Sequence, residues 1–174
     1  MARSSEREGL PISGFDVFGD FFRRDFAGLV AFLVAAGAGR AEAEDAAQEA
    51  MVAAHRHWPE LDHPKAWVRT VAWRDVCRRR RRLLDGVRRA VLGGWAEETA
   101  PRASVDSVLE GLYVLGLLAR LTPRRRAVMA LHLEGFDATE IAAIVAMTPA
   151  TVRSHLRHAR EQLRGLVAES RVEG

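Results

Sequence analysis

Apolar residues recur at three- and four-residue steps along most of this chain, and alternation at two-residue steps is weak throughout. That periodicity is helical. Phe18, Phe21, Phe22, Phe26, Leu29, Val30 and Leu33 fall on one helix face, and Gly37 and Gly39 end that helix. A second helix starts near Ala41, with Ala43, Ala46, Ala47, Ala50, Met51, Ala54 and Trp58 as its apolar stripe and Pro59 as its stop. Pro64 suits the first turn of a third helix. Its apolar face is Trp67, Val68, Val71, Ala72 and Val76, and it runs into five arginines at 78–82.

Gly86, Gly93, Gly94 and Pro101 interrupt the pattern. Residues 83–105 therefore read as a flexible linker, with a short helical piece around Val87 to Leu92. Residues 1–13 read as a disordered tail. Val108, Leu109, Leu112, Leu115 and Leu118 mark a helix ending at Leu121. Thr122-Pro123 caps and opens the next, with Ala127, Val128, Leu131 and Leu133 on its apolar side and Gly135 closing it. The expected fold is all-α. Two small helical domains, residues 14–82 and 106–170, are joined by the linker.

Asp137 and Glu140 have capping-box spacing ahead of Ile141, Ala142, Ile144 and Val145. Thr148 and Pro149 then open a last helix. It turns Val152, Leu156, Ala159, Leu163 and Leu166 inward and Thr151, Arg153, Ser154, His155, Arg157, His158 and Arg160 outward. A short helix, a tight turn and a polar, Arg-rich second helix make a helix-turn-helix at about residues 137–164. Its second helix fits the DNA major groove, where arginine bonds guanine edges bidentately.

Charge sharpens this picture. The net charge is only +3. Residues 1–60 carry six basic and ten acidic groups, whereas residues 61–95 carry ten basic and three acidic. An acidic head and a basic block suggest two surfaces with different partners, the basic one suited to a polyanion. Cys77 is the sole cysteine, which excludes an internal disulfide and reads as a small buried side chain. No apolar run is long enough to span a membrane and no signal core is present, so a cytoplasmic protein without membrane insertion is expected.

The stretch LTPRRRAVMALHLEGFDATEIAAIVAMTPATVRSHLRHAREQLR at 121–164 resembles the C-terminal domain of bacterial sigma factors of the extracytoplasmic-function (ECF) group, in the sigma-70 family. AEAEDAAQEA at 41–50 resembles the segment with which these factors grip the polymerase clamp. HPKAWVRTVAWRDVCRRRRR at 63–82 resembles their promoter-melting helix. The resemblance implies a transcription initiation factor that binds core RNA polymerase, at its clamp and flap regions, and reads promoter DNA. Residues 14–82 would bind the core and the −10 element, and residues 106–170 the −35 element. At −35 it puts Arg153, Ser154 and Arg157 on base edges, with His155 as a further candidate. Thr151, Thr139, Arg124 and Arg160 fall to phosphates. At −10 it points to Lys65, Arg69, Trp73, Arg74, Arg78 and Arg79, with a base pocket in the loop from Trp58 to His63. Asp45, Gln48 and Glu49 would face the polymerase. It also allows an anti-sigma factor as a partner.

Three departures from the family pattern stand out. Ala72-Trp73-Arg74 replaces Ala-Arg-Asn, and Trp73 reads more readily as a buried or half-buried aromatic than as a stacking platform. Ala146 replaces the glycine common in the turn, so this residue should avoid a strongly left-handed conformation. Ala150, His155 and His158 stand where Gly, Arg and Arg are common.

Other classes fit less well. His55, His57 and His63 lie near Glu60 and Asp62, but two helical residues two apart diverge by about 200° and cannot share a metal. No nucleophile partner or phosphate loop accompanies Glu44, Asp45 and Glu49, so no catalysis, cofactor or metal is expected. The alternative is a helix-turn-helix regulator that does not join the polymerase. It would need a ligand pocket and a dimer surface.

Overall fold

The computed structural model describes residues 14–92 and 109–172. Among these residues there are seven α-helices and no strand. They are α1 (Gly14–Ala35), α2 (Arg40–Arg56), α3 (Pro64–Leu92), α4 (Leu109–Ala119), α5 (Pro123–Leu133), α6 (Ala138–Val145) and α7 (Pro149–Val172), with a 3-10 turn at Trp58–Glu60. None of these helices is long and apolar enough to cross a membrane.

The first three helices pack around the alanine stripe. Ala43, Ala46, Ala47, Ala50, Met51 and Ala54 are all buried against α1 and α3. Small side chains let three helix backbones approach closely, with Leu29, Phe32, Leu33, Val68, Ala72 and Val76 filling the remaining space. Phe32 belongs to this core although the sequence pattern omits it. Phe22 lies at its edge, exposed and stacked on Phe26 at 5.0 Å. Cys77 is exposed rather than buried, because it sits on the outer side of α3 two residues past Asp75.

α3 does not stop at residue 82. It continues to Leu92, through the first ten residues of the expected linker. A lone glycine such as Gly86 costs a helix only about 1 kcal/mol relative to alanine, too little to end a helix already propagating. The tail 1–13 and the rest of the linker, 93–105, lie outside the described residues.

The second group of helices, α4–α7, surrounds Val128, Leu131, Ile141, Ile144, Val152, Leu156 and Ala159. Thr122 holds the N-cap position of α5 in extended conformation, but its side chain makes no capping bond; Pro123 supplies the start. Leu133, expected on the apolar side, is 62% exposed. The fold is the expected all-α arrangement of two helical groups, and the two groups also touch. α4 and α5 pack on α1, and α6 packs on α3.

Three helices end alike. After α1, Ala38 N–H bonds Leu33 C=O; after α5, Phe136 N–H bonds Leu131 C=O; after α6, Met147 N–H bonds Ala142 C=O. Each closure needs one left-handed residue just past the helix. Gly37 (φ 97°) and Gly135 (φ 92°) supply it at no steric cost, but Ala146 (φ 54°) must adopt it against its Cβ. The expectation for Ala146 is therefore overturned. The chain must turn from α6 into α7 within residues 146–148, and that tight reversal outweighs the strain. Ala146→Gly should raise stability by about 1 kcal/mol, read as a higher midpoint of thermal unfolding.

Candidate nucleic-acid interface

The helix-turn-helix is built by its caps. Asp137 Oδ1 accepts from the backbone N–H groups of Thr139 (2.7 Å) and Glu140 (2.8 Å), while Glu140 Oε2 accepts from Asp137 N–H at 2.8 Å. This fixes the start of α6. Thr148 Oγ1 accepts from Thr151 N–H at 3.2 Å and shares a hydrogen bond with Thr151 Oγ1 at 2.8 Å, fixing the start of α7. Val152, Leu156 and Ala159 are buried beneath, so the opposite face must look outward.

On that outward face Arg153, Ser154 and Arg157 are exposed, and neither arginine has a hydrogen-bond or ion-pair partner among the described residues. Arg124 and Thr139 are exposed on the neighbouring helices. Arg160 is engaged, donating to His132 Nε2 at 2.7 Å. His158 donates its Nδ1–H to Ser154 C=O at 2.8 Å. His155 is half-buried rather than fully outward. Burial holds its imidazole below the ordinary histidine value, and Arg125, Arg124 and His158 push the same way, so the ring is neutral at pH 7.

The basic end of α3 is more occupied than its sequence implies. Asp75, a buried carboxylate, accepts from both Arg78 and Arg79. Arg79 also reaches Glu49 at 2.9 Å and Asp45 at 3.9 Å on α2. Exposed Asp45, Gln48 and Glu49 line the polar side of α2, opposite the alanines. Arg74 is exposed and unpaired among the described residues. Trp73 is half-buried, its ring 6.2 Å from that of Phe32. Trp58 is anchored on Phe18 and Phe21 at 5.2 and 5.1 Å, which leaves Asp62 and His63 exposed in the loop beyond.

Lys65 and Arg69 face the other helix group. Arg69 is 1% exposed and donates Nε–H to Glu134 Oε2 at 2.7 Å. Glu134, Phe136 and Arg126 escaped sequence reasoning as site residues. Arg126 closes the end of α4, donating to the carbonyls of Leu118 (3.0 Å), Ala119 (2.6 Å) and Leu121 (3.3 Å). No local signal marks such partners, which are set by tertiary packing.

The sigma-70 region 2 family model matches residues 22–84, and the sigma-70 region 4 model matches residues 111–163. No curated protein matches the sequence. Among solved structures, the fold is similar to that of the sigma factor RpoE from Bartonella quintana in complex with the anti-sigma factor NepR. The TM-score is 0.68 at 22% identity, covering 87% of this chain and 97% of that one. It is also similar to CnrH in complex with the cytosolic domain of CnrY, with a TM-score of 0.59 at 23% identity over 87% of this chain and 88% of that one. With regions 2 and 4 matched in order over most of its length, the chain belongs to the sigma-70 family: it is a sigma factor of the ECF type, a non-enzymatic subunit that binds core RNA polymerase and directs promoter-specific transcription initiation.

Proposed function

We propose that α7 reads the −35 element through Arg153, Ser154 and Arg157, with His155 as a neutral neighbour able to touch a base edge. Thr151, Thr139 and Arg124 hold flanking phosphates, and Arg160 joins them by exchanging His132 for a phosphate oxygen. The observation that carries this is the contrast in pairing. Arg78, Arg79, Arg80, Arg125 and Arg126 all have protein acceptors, whereas Arg153 and Arg157 stand exposed without any among the described residues. Unpaired cations side by side on one helix face favour a polyanion.

The −10 element falls to α3, with Arg74 immediately available, Arg69, Arg78 and Arg79 available once released from their carboxylates, and Lys65 once released from the Glu134 carbonyl. Trp73 serves that helix chiefly from within, bracing it on Phe32. Asp45, Gln48 and Glu49 face the polymerase clamp, and α4–α7 face the flap. The open cleft between α1 and α4–α5, lined by Phe26, Val30, Leu115 and Leu133, suits an apolar helix of an anti-sigma partner. That the similar RpoE structure is a complex with an anti-sigma factor supports this use. Transcription in vitro with core polymerase over a promoter library tests the whole reading. Initiation confined to promoters sharing two spaced elements is expected, and absence of any specific initiation refutes it.

A further inference from the structure

A cation destined for DNA should be open to solvent, yet Arg69 is among the most buried side chains of the chain. Its Nε and Nη2 both donate to Glu134 Oε2, and its Nη1 donates to Lys65 C=O at 3.1 Å. The guanidinium carbon lies 5.4 Å from the centre of the Phe136 ring. Lys65 follows the same pattern: its Nζ is 5.2 Å from that ring and donates to Glu134 C=O at 3.5 Å. The turn after α5 thus offers α3 an anionic oxygen and an aromatic face side by side. A nucleotide offers the same pair, a phosphate and a base.

We propose that residues 134–136 form an intramolecular latch that occupies the promoter-facing side of α3, so that the free sigma factor is closed to −10 DNA until the turn is displaced. The proposal rests on assigning α3 to promoter contact. A second contact supports the closure. Arg126, on α5, lies across Gly37 at the end of α1, where an added Cβ would meet its Nη1 at 2.7 Å. The latch is releasable by construction. Both guanidinium donors converge on one oxygen of Glu134, and the other, Oε1, is buried without a hydrogen-bond partner. A buried acceptor left unsatisfied weakens the closed form. DNA that takes over Arg69 lets the carboxylate return to water.

A closed state lowers apparent affinity by the fraction of molecules that are open. Glu134→Gln keeps the shape of the turn and removes its charge. In the full chain it should tighten binding to a random-sequence DNA duplex about tenfold at low salt, since each 1.4 kcal/mol is a factor of ten. It should also steepen the salt dependence, because Lys65 and Arg69 add about two phosphate contacts. Fluorescence energy transfer reads opening directly, between dyes at Val52→Cys and Glu161→Cys in a Cys77→Ser background. Longer distances in Glu134→Gln, and in the unaltered turn on adding DNA, are expected. Unchanged distances in both overturn the latch, and longer distances without tighter DNA binding overturn the masking. Arg74→Ala keeps the two failures apart. It should weaken DNA binding at unchanged distance, and if it does not, the assignment of α3 to DNA is what fails.

Discussion

Arg153→Ala combined with Arg157→Ala should abolish −35 recognition while leaving the fold intact. Both side chains are exposed on α7 and unpaired among the described residues, so their removal strands no buried group. Stability should stay within about 0.5 kcal/mol of the parent. A bidentate arginine on a guanine edge is worth about 1–3 kcal/mol. Two such losses weaken −35 binding by roughly 2–6 kcal/mol, or at least about thirtyfold. Arg160→Ala should cost less and weaken all sequences alike, because a phosphate contact carries no base preference and Arg160 must first leave His132. Binding to −35 duplexes and to scrambled ones, with and without core polymerase, separates these outcomes. Unchanged −35 affinity in the double variant would remove α7 as the reading helix.

Local signals in the sequence carried the α6–α7 unit well. Asp137, Glu140, Thr148 and Pro149 act within a few residues of themselves, and the caps they form agree with the spacing that announced them. The alanine stripe of α2 was equally legible, since periodicity alone decides which face is buried. The conformation of Ala146 was not. It depends on the chain reversing between α6 and α7 within residues 146–148, a requirement of the turn rather than of the alanine. The arginine run was legible as charge but not as pairing. Asp75 captures Arg78 and Arg79 at three- and four-residue steps, which the spacing contains, whereas Glu134 reaches Arg69 across 65 residues of chain. Contacts of that second kind arise only when helix groups meet. For that reason the packing of α4 and α5 on α1, and of α6 on α3, has no signature in the sequence.

On the proposed assignment, the two faces of α2 serve different ends, packing on one side and polymerase binding on the other, and a pair of substitutions tests this. Ala50 is fully buried where α2 meets α1 and α3. Ala50→Leu inserts three carbons into a gap that small residues keep narrow, and overpacking of this kind costs about 1–3 kcal/mol. In a domain the size of α1–α3, each kcal/mol moves Tm by about 4–8 °C. The expected loss is therefore of the order of 10 °C. Polymerase affinity should fall with it if α2 carries the polymerase surface, because α2 can no longer hold its outer face in register with α3. Gln48 lies on that outer face, exposed, between Asp45 and Glu49 and their partner Arg79. Gln48→Ala should leave Tm unchanged within about 0.5 kcal/mol of stability, yet lower affinity for core polymerase. Thermal unfolding and a pull-down with core polymerase measure both quantities on the same preparations. An unchanged Tm in Ala50→Leu would mean that α2 is not clamped between its neighbours. Unchanged polymerase binding in Gln48→Ala, with Glu49→Gln equally silent, would move the polymerase surface off α2 altogether.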